Sequence, residues 1–144
     1  MTTLPHTFRP RWARRVIWPV SVVVVGLFGY GVVGVPGFSV LERTYLAVFA
    51  VISGWLLYRL AAVRIACDER GLTVVNLVRR RRLEWAEVLA VRLDPGDPWL
   101  VLDLSDGTAL PAMGVQGSDG GFARQQARDL ARLVAEHTRT ARDD

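Results

Sequence analysis

Apolar residues run along this chain in three regimes, and the changes between them divide it. Residues 16–35 read VIWPVSVVVVGLFGYGVVGV without a charge, and residues 44–63 read TYLAVFAVISGWLLYRLAAV, interrupted only by Arg59. A helix rises 1.5 Å per residue, so about twenty residues reach the roughly 30 Å of a bilayer hydrocarbon core. Lipid obliges the backbone to satisfy its own hydrogen bonds, which outweighs the modest helix propensity of Val. Two transmembrane helices are therefore predicted, joined by the link PGFSVLER. Pro19 falls near the start of the first span, where its missing N–H costs least.

From about residue 63 to residue 113 the pattern shortens into β-prone runs. Strands are expected at 63–67, 72–78, 83–85, 88–93, 99–104 and 109–113. Asp68-Glu69-Arg70-Gly71 reads as a turn, with Gly71 available for positive φ. The stretch Asp94-Pro95-Gly96-Asp97-Pro98 reads as a loop, and Asp106-Gly107 as a hairpin signal. The four arginines at 79–82 are expected to be a polar connection. After a glycine-rich loop at 114–121 the period turns helical. Ala123, Ala127, Leu130, Leu133, Val134 and His137 form one face, and Arg124, Arg128 and Arg132 a parallel polar row. Ser118 or Asp119 is the expected N-cap. The division is then a basic tail at 1–15, a helical hairpin at 16–63, a β-rich domain with a terminal helix at 64–139 and a short tail at 140–144. The class is α+β.

Particular residues in the β-rich part carry a resemblance: D-E-R-G-L-T-V-x-N from Asp68 to Asn76, L-E-W-A-E-V from Leu83 to Val88, and L-x-D-G-T from Leu104 to Thr108. In these the segment from Arg64 onward resembles the small PH-like domains of actinobacterial membrane proteins, the group related to low-molecular-weight protein antigens. The resemblance implies a bent, partly open antiparallel β-barrel plugged at one end by the helix, with Trp85 in its core. Six strands are counted where a full PH fold has seven, so the barrel is expected to be trimmed or its first strand displaced. The basic pattern by which eukaryotic PH domains hold phosphoinositides is not recognisable, and lipid specificity does not carry over.

Composition adds orientation. The chain has 144 residues and a net charge of +4, and every basic residue is arginine, as in proteins of GC-rich genomes such as those of actinobacteria. Arg9, Arg11, Arg14 and Arg15 precede the first span, only Arg43 lies in the link, and Arg59 at the end of the second span is followed by Arg64, Arg70 and the run Arg79 to Arg82. The positive-inside rule then puts both termini in the cytoplasm. Trp12, Arg14, Arg15, Trp18, Trp55, Tyr58, Arg59 and Arg64 are the expected membrane-interface residues. Arg59, near a helix end, escapes the insertion cost of about 2.5–3.5 kcal/mol at a bilayer centre by snorkelling. The first run exceeds a signal-peptide core, and no A-x-A site follows it, so it is expected to be retained. Gly26, Gly29, Gly31, Gly34 and Gly54 would allow close helix approach, within the hairpin or between copies.

Candidate chemistry is sparse. Cys67 is the single cysteine, which excludes an internal disulfide and multi-cysteine metal sites. His6 and His137 are the only histidines and lie far from it in sequence. Glu84/Glu87 and Asp103/Asp106 read as solvent-facing strand and turn positions. No P-loop, HExxH or GxSxG occurs. No catalytic residue, cofactor or metal site is expected. Arg79, Arg80, Arg81 and Arg82 have two readings: a solvated tip paired with neighbours such as Glu84 and Asp68, or a patch for anionic lipid headgroups. Aromatics do not interleave with the run, which argues against nucleic acid. The expected function is a non-enzymatic, membrane-anchored module binding lipid headgroups or an unidentified protein partner. The alternative is a structural subunit acting through its helices, with homo-oligomers as one form.

Overall fold

A computed structural model describes residues 3–143, with side chains omitted at 12–14 and 139–143. The chain forms two compact units. Ala13–Ala61 is one, and the other joins the segment up to Trp12 with everything from Ala62 onward.

The first unit is a helical hairpin of α1 (Arg11–Val33) and α2 (Val40–Ala61). Arg15–Val33 and Val40–Ala61 are long and apolar enough to cross a membrane. Both ends of the link differ from expectation, for local reasons. Helix α1 closes at Val33 as Gly34 N–H donates back to the Tyr30 carbonyl at 2.7 Å, and Gly37 turns the chain at φ 86°. Helix α2 starts four residues before the expected Thr44 because S-V-L-E is a capping box. Ser39 Oγ accepts from Glu42 N–H at 3.3 Å, and the Glu42 carboxylate accepts from Ser39 N–H at 2.7 Å. Arg43 spends its guanidinium on the end of α1, donating to the Val32 carbonyl, to that of Val35 at 3.0 Å and to that of Phe38 at 3.3 Å. A cation there meets the negative end of the helix dipole. Of the glycines expected to allow close approach, Gly31 is used within the hairpin. A Cβ on it would lie 2.9 Å from a Leu46 methyl, whereas beside Gly26, Gly29 and Gly54 the space is open.

Among the described residues the second unit holds seven strands. A four-stranded sheet has the order β1 (His6–Phe8), β2 (Arg64–Asp68), β3 (Gly71–Val75), β4 (Arg80–Glu84). A three-stranded sheet has the order β5 (Val88–Arg92), β6 (Trp99–Leu104), β7 (Ala109–Gln116), and α3 (Gly121–Asp143) follows. All pairings are antiparallel. The class is α+β, with open sheets and a terminal helix as expected.

The strand that the sequence left uncounted is β1. The segment expected to be part of a basic tail at 1–15 instead pairs His6 with Cys67, Thr7 with Ala66 and Phe8 with Ile65. Phe8 is 1% exposed and belongs to the core with Ile65, Leu72, Leu83, Leu100, Leu102 and Leu130. The domain is therefore built from two pieces of chain lying on either side of the helical hairpin.

One polar side chain ties the sheets together, and another braces the far end of the larger sheet. Asn76 donates through Nδ2 to the Pro111 carbonyl at 2.6 Å and accepts from Met113 N–H at 2.9 Å. Its amide thus imitates a strand partner for β7 across the seam. Close by, Gly114 lets β7 approach β2, since a Cβ there would sit 2.6 Å from the Ile65 nitrogen. At the opposite end of the sheet, Asp68 Oδ1 accepts from Arg70 N–H and Gly71 N–H at 2.9 and 3.1 Å. The Asp68 carbonyl accepts from Trp85 Nε1–H at 3.1 Å. Trp85 is 5% exposed and stacks on His137 of α3 at 4.6 Å, so it is core, as expected.

Removing Phe8 removes a core side chain. Phe8→Ala is expected to cost about 3–5 kcal/mol in urea unfolding, as large core truncations do. A fragment of residues 62–144 should be markedly less stable than the same fragment with residues 3–10 fused ahead of it by a short linker. Equal denaturation midpoints would show that β1 contributes nothing.

Candidate functional site

The arginine run departs from expectation. Only Arg79 lies in the turn, and Arg80, Arg81 and Arg82 form most of β4. The turn is Asn76-Leu77-Val78-Arg79, closed by Asn76 N–H donating to the Arg79 carbonyl at 2.9 Å. A solvated loop of four arginines is thus corrected to an edge strand with an apolar tip. Alternation along β4 then separates the arginines. Arg82 donates to both oxygens of Asp68, at 3.1 and 2.9 Å, and Arg81 reaches Asp106 at 3.4 Å. Arg79 and Arg80 are exposed, with no ion-pair partner among the described residues. Val78, in the turn just before them, is 74% exposed.

Register fixes where this tip lies. Arg64 pairs with Val75, Val75 with Arg80, and Phe8 with Ile65. The tip therefore occupies the end of the sheet at which the chain leaves β1 toward α1 and enters β2 from α2. Arg64 stands at that end, half-buried, with Nη1 3.3 Å from the Ala62 carbonyl. Arg11 is there too, its guanidinium 3.9 Å over the Phe122 ring and its N–H donating to Asp119 at 2.9 Å. Asp119 thus serves the first residue of α1. It is not the N-cap of α3, which begins at Gly121.

The other expected interface residues lie in the helical unit. Trp18, Trp55 and Tyr58 are exposed at 69%, 58% and 71%, Arg15 is exposed, and Arg59 lies 5.9 Å over the Trp55 ring. The expectations for Trp12 and Arg14 fall on side chains outside the described residues.

The two carboxylate pairs singled out in the sequence are occupied structurally. Glu84 and Glu87 form the capping box of a 3₁₀ turn at Trp85–Glu87. Asp103 accepts two bonds from Arg92, at 2.6 and 2.7 Å, and these hold its carboxyl below the usual range. Asp106 is lowered by the Thr108 hydroxyl and amide, which close the Asp106-Gly107 hairpin. Cys67 stands opposite His6 in the β1–β2 register, although sixty-one residues separate them in sequence. Burial, with Asp68 adjacent, pushes its thiol up to about 12. That environment disfavours the thiolate a nucleophile requires.

Every stretch that carried the resemblance is thus a joint of the barrel, and a family model for the bacterial PH domain matches residues 62–144. The chain belongs to the bacterial PH domain family. The matched segment omits β1, the strand that completes this bacterial PH domain from the far side of the helices. Proteins of Mycobacterium tuberculosis and Mycobacterium bovis, described as uncharacterized, are 28% identical over 100 residues, covering 69% of this chain and 65% of theirs. The chain thus spans just under two thirds of the length of these relatives. No solved structure matches it.

What sequence reasoning missed at this site is Val78 and the structural duty of Asn76, whereas the turn at Asp68 and its pairing with the arginine run were expected and are found at Arg82. Asn76 could have been found as a turn-forming residue just ahead of an apolar pair.

The folded thiol titrates higher than an ordinary cysteine at 9.0, so protonation favours the folded state. This contribution is intact below about pH 9 and is lost as pH rises toward about 12. At pH 8 a maleimide should label native Cys67 at least a hundredfold more slowly than the urea-unfolded chain, read by mass spectrometry. Equal rates would place the thiol at the surface.

Proposed function

We propose that this chain is a non-enzymatic, membrane-anchored bacterial PH module whose β3–β4 tip rests on anionic lipid headgroups at the cytoplasmic face. The observation that carries the reading is the register. It groups Val78, Arg79 and Arg80 with Arg64 at the sheet end continuous with the two apolar helices. An exposed apolar tip beside uncommitted arginines matches an interface whose outer layer is anionic and whose interior is apolar. Each arginine near such a surface contributes up to about 1 kcal/mol. Tethering keeps the tip at high local concentration, so weak contact suffices.

Two features support the orientation. β1 and β2 are paired neighbours, so the chain must return to the side from which it left, which requires an even number of crossings. In addition, the lone arginine of the link is bound to carbonyls at the end of α1, beside Glu42. The arginines outside the link then carry the charge bias, and by the positive-inside rule they face the cytoplasm.

A second reading, a structural subunit assembling through its helices, is favoured by the open space beside Gly26, Gly29 and Gly54.

Val78→Cys carrying an environment-sensitive dye tests the lipid contact in the full chain reconstituted in vesicles, with Cys67 silent because it is buried. Emission should shift to the blue in vesicles rich in phosphatidylglycerol. The shift should be absent in phosphatidylcholine, and should fade as salt shortens the Debye length from about 10 Å at 0.1 M to about 3 Å at 1 M. Arg79→Gln with Arg80→Gln should abolish it. Identical spectra in both lipids would reject headgroup contact and favour the subunit reading.

Orientation is tested separately with an impermeant maleimide on intact cells, in a Cys67→Ser background. A cysteine at Phe38 should react and one at Ser118 should not. The reverse pattern would overturn the cytoplasmic assignment.

A further inference from the structure

The second sheet has an open side. β5 is its outer strand, with β6 on one flank; Val88 N–H closes the 3₁₀ turn on the Trp85 carbonyl, and no backbone bond outside the ladders reaches 89–92 among the described residues. Beside that edge runs α3, and between them lies a groove of about 340 Å³ lined by Val88, Leu89, Ala90, Val91, Ala131, Val134, Ala135 and Thr138. Ala131 and Ala135, one turn apart on α3, face the strand where longer side chains would fill the gap. Leu89 sits at a register break between Val88 and Ala90 and is 66% exposed. An open, apolar edge invites pairing with another chain and is ordinarily blunted by charge or covered. Here it is left open and apolar.

The rim has a sign. Arg128 and Arg132 are exposed and follow Arg124 at four-residue intervals, one helical step from the groove-lining Ala131 and Ala135. Arg128 has no ion-pair partner among the described residues, and Arg132 has only a 3.9 Å approach to Asp129. Of the carboxylates next to β5, Glu87 is committed to its capping box and Asp103 to Arg92. The groove therefore offers unpaired strand hydrogen bonds, an apolar floor and a basic margin.

We propose that this groove binds an extended, acidic peptide segment of a partner protein, which adds to β5 as a further strand. Its backbone would pair with 89–92. Alternate apolar side chains would fall on Ala131, Val134 and Ala135, and its acidic residues would meet Arg128 and Arg132. The groove is formed by β5 and α3, apart from the lipid-facing tip, so the two proposals fail independently.

The test uses the full chain in nanodiscs, panned against a display library of random twelve-residue peptides with empty nanodiscs subtracted. Enriched sequences should alternate apolar with other residues and carry net negative charge. A synthetic enriched peptide, followed by fluorescence anisotropy, should bind at least tenfold more weakly to Ala135→Leu, which fills the groove from an exposed position. Arg128→Glu with Arg132→Glu should weaken it at least as much. Leu89→Lys serves as a second groove variant should Ala135→Leu alter the melting temperature. Amide exchange at 89–92 should slow when the peptide binds. The proposal is overturned by absence of enrichment, by affinity indifferent to both groove variants, or by binding without protection of 89–92. Self-association that is sensitive to Leu89→Lys would make a second copy the occupant and would equally overturn it.

Discussion

Three residue pairs, His6 with Cys67, Thr7 with Ala66 and Phe8 with Ile65, set the conditions for the rest of this molecule. They join stretches of chain that lie on either side of the two apolar helices. Neighbouring strands run about 4.8 Å apart. The chain must therefore depart from one strand and come back to the next within a narrow spacing. Phe8 turns this pairing into core packing, because it is buried in one cluster with residues of both sheets and of α3. The domain has no complete core without the segment that precedes the helices.

Within the domain, a few polar groups define the barrel that apolar burial fills. Hydrophobic contact is non-directional and does not by itself select one seam over another. Asn76 makes the choice at one end by offering β7 a donor and an acceptor in strand-like geometry. At the other end Asp68 braces the four-stranded sheet itself, its carboxylate holding the β2–β3 turn and the Arg82 guanidinium while its backbone carbonyl accepts from the Trp85 indole. Leaving such groups unpaired in a partly buried seam costs about 1–3 kcal/mol each, so they discriminate between pairings. The same economy explains why the stretches shared with the bacterial PH domain are turns and joints.

Much of this was legible in the sequence. Strands β5 and β6 and the Asp106-Gly107 hairpin announced themselves by alternation and turn chemistry, and α3 by its period. Both apolar helices were visible from length alone. Strand β1 was not, because three residues show no period and their partner lies beyond two helices. The arginines of β4 read as a loop because an edge strand has only Leu83 to bury, so its pattern is polar throughout. The start of α2 was hidden because its capping box sits in what looked like a link. The β5 groove leaves no local signature. It arises from small side chains on one element facing an unpaired edge of another.

The split construction of the domain also bears on how the protein is made. β1 is synthesised ahead of both helices, yet its partner strand is synthesised only after them. Phe8 must remain without its pocket while the helices are handled, and it is enclosed only once β2 and the strands beyond it have emerged. Such a pairing, between positions far apart in sequence, forms slowly because closure of the intervening loop costs entropy before any contact repays it. Maturation of the soluble domain is therefore coupled to completion of the helical hairpin. A processing event that separated the first nine residues from the rest would leave the helices intact and the β-domain without its outer strand.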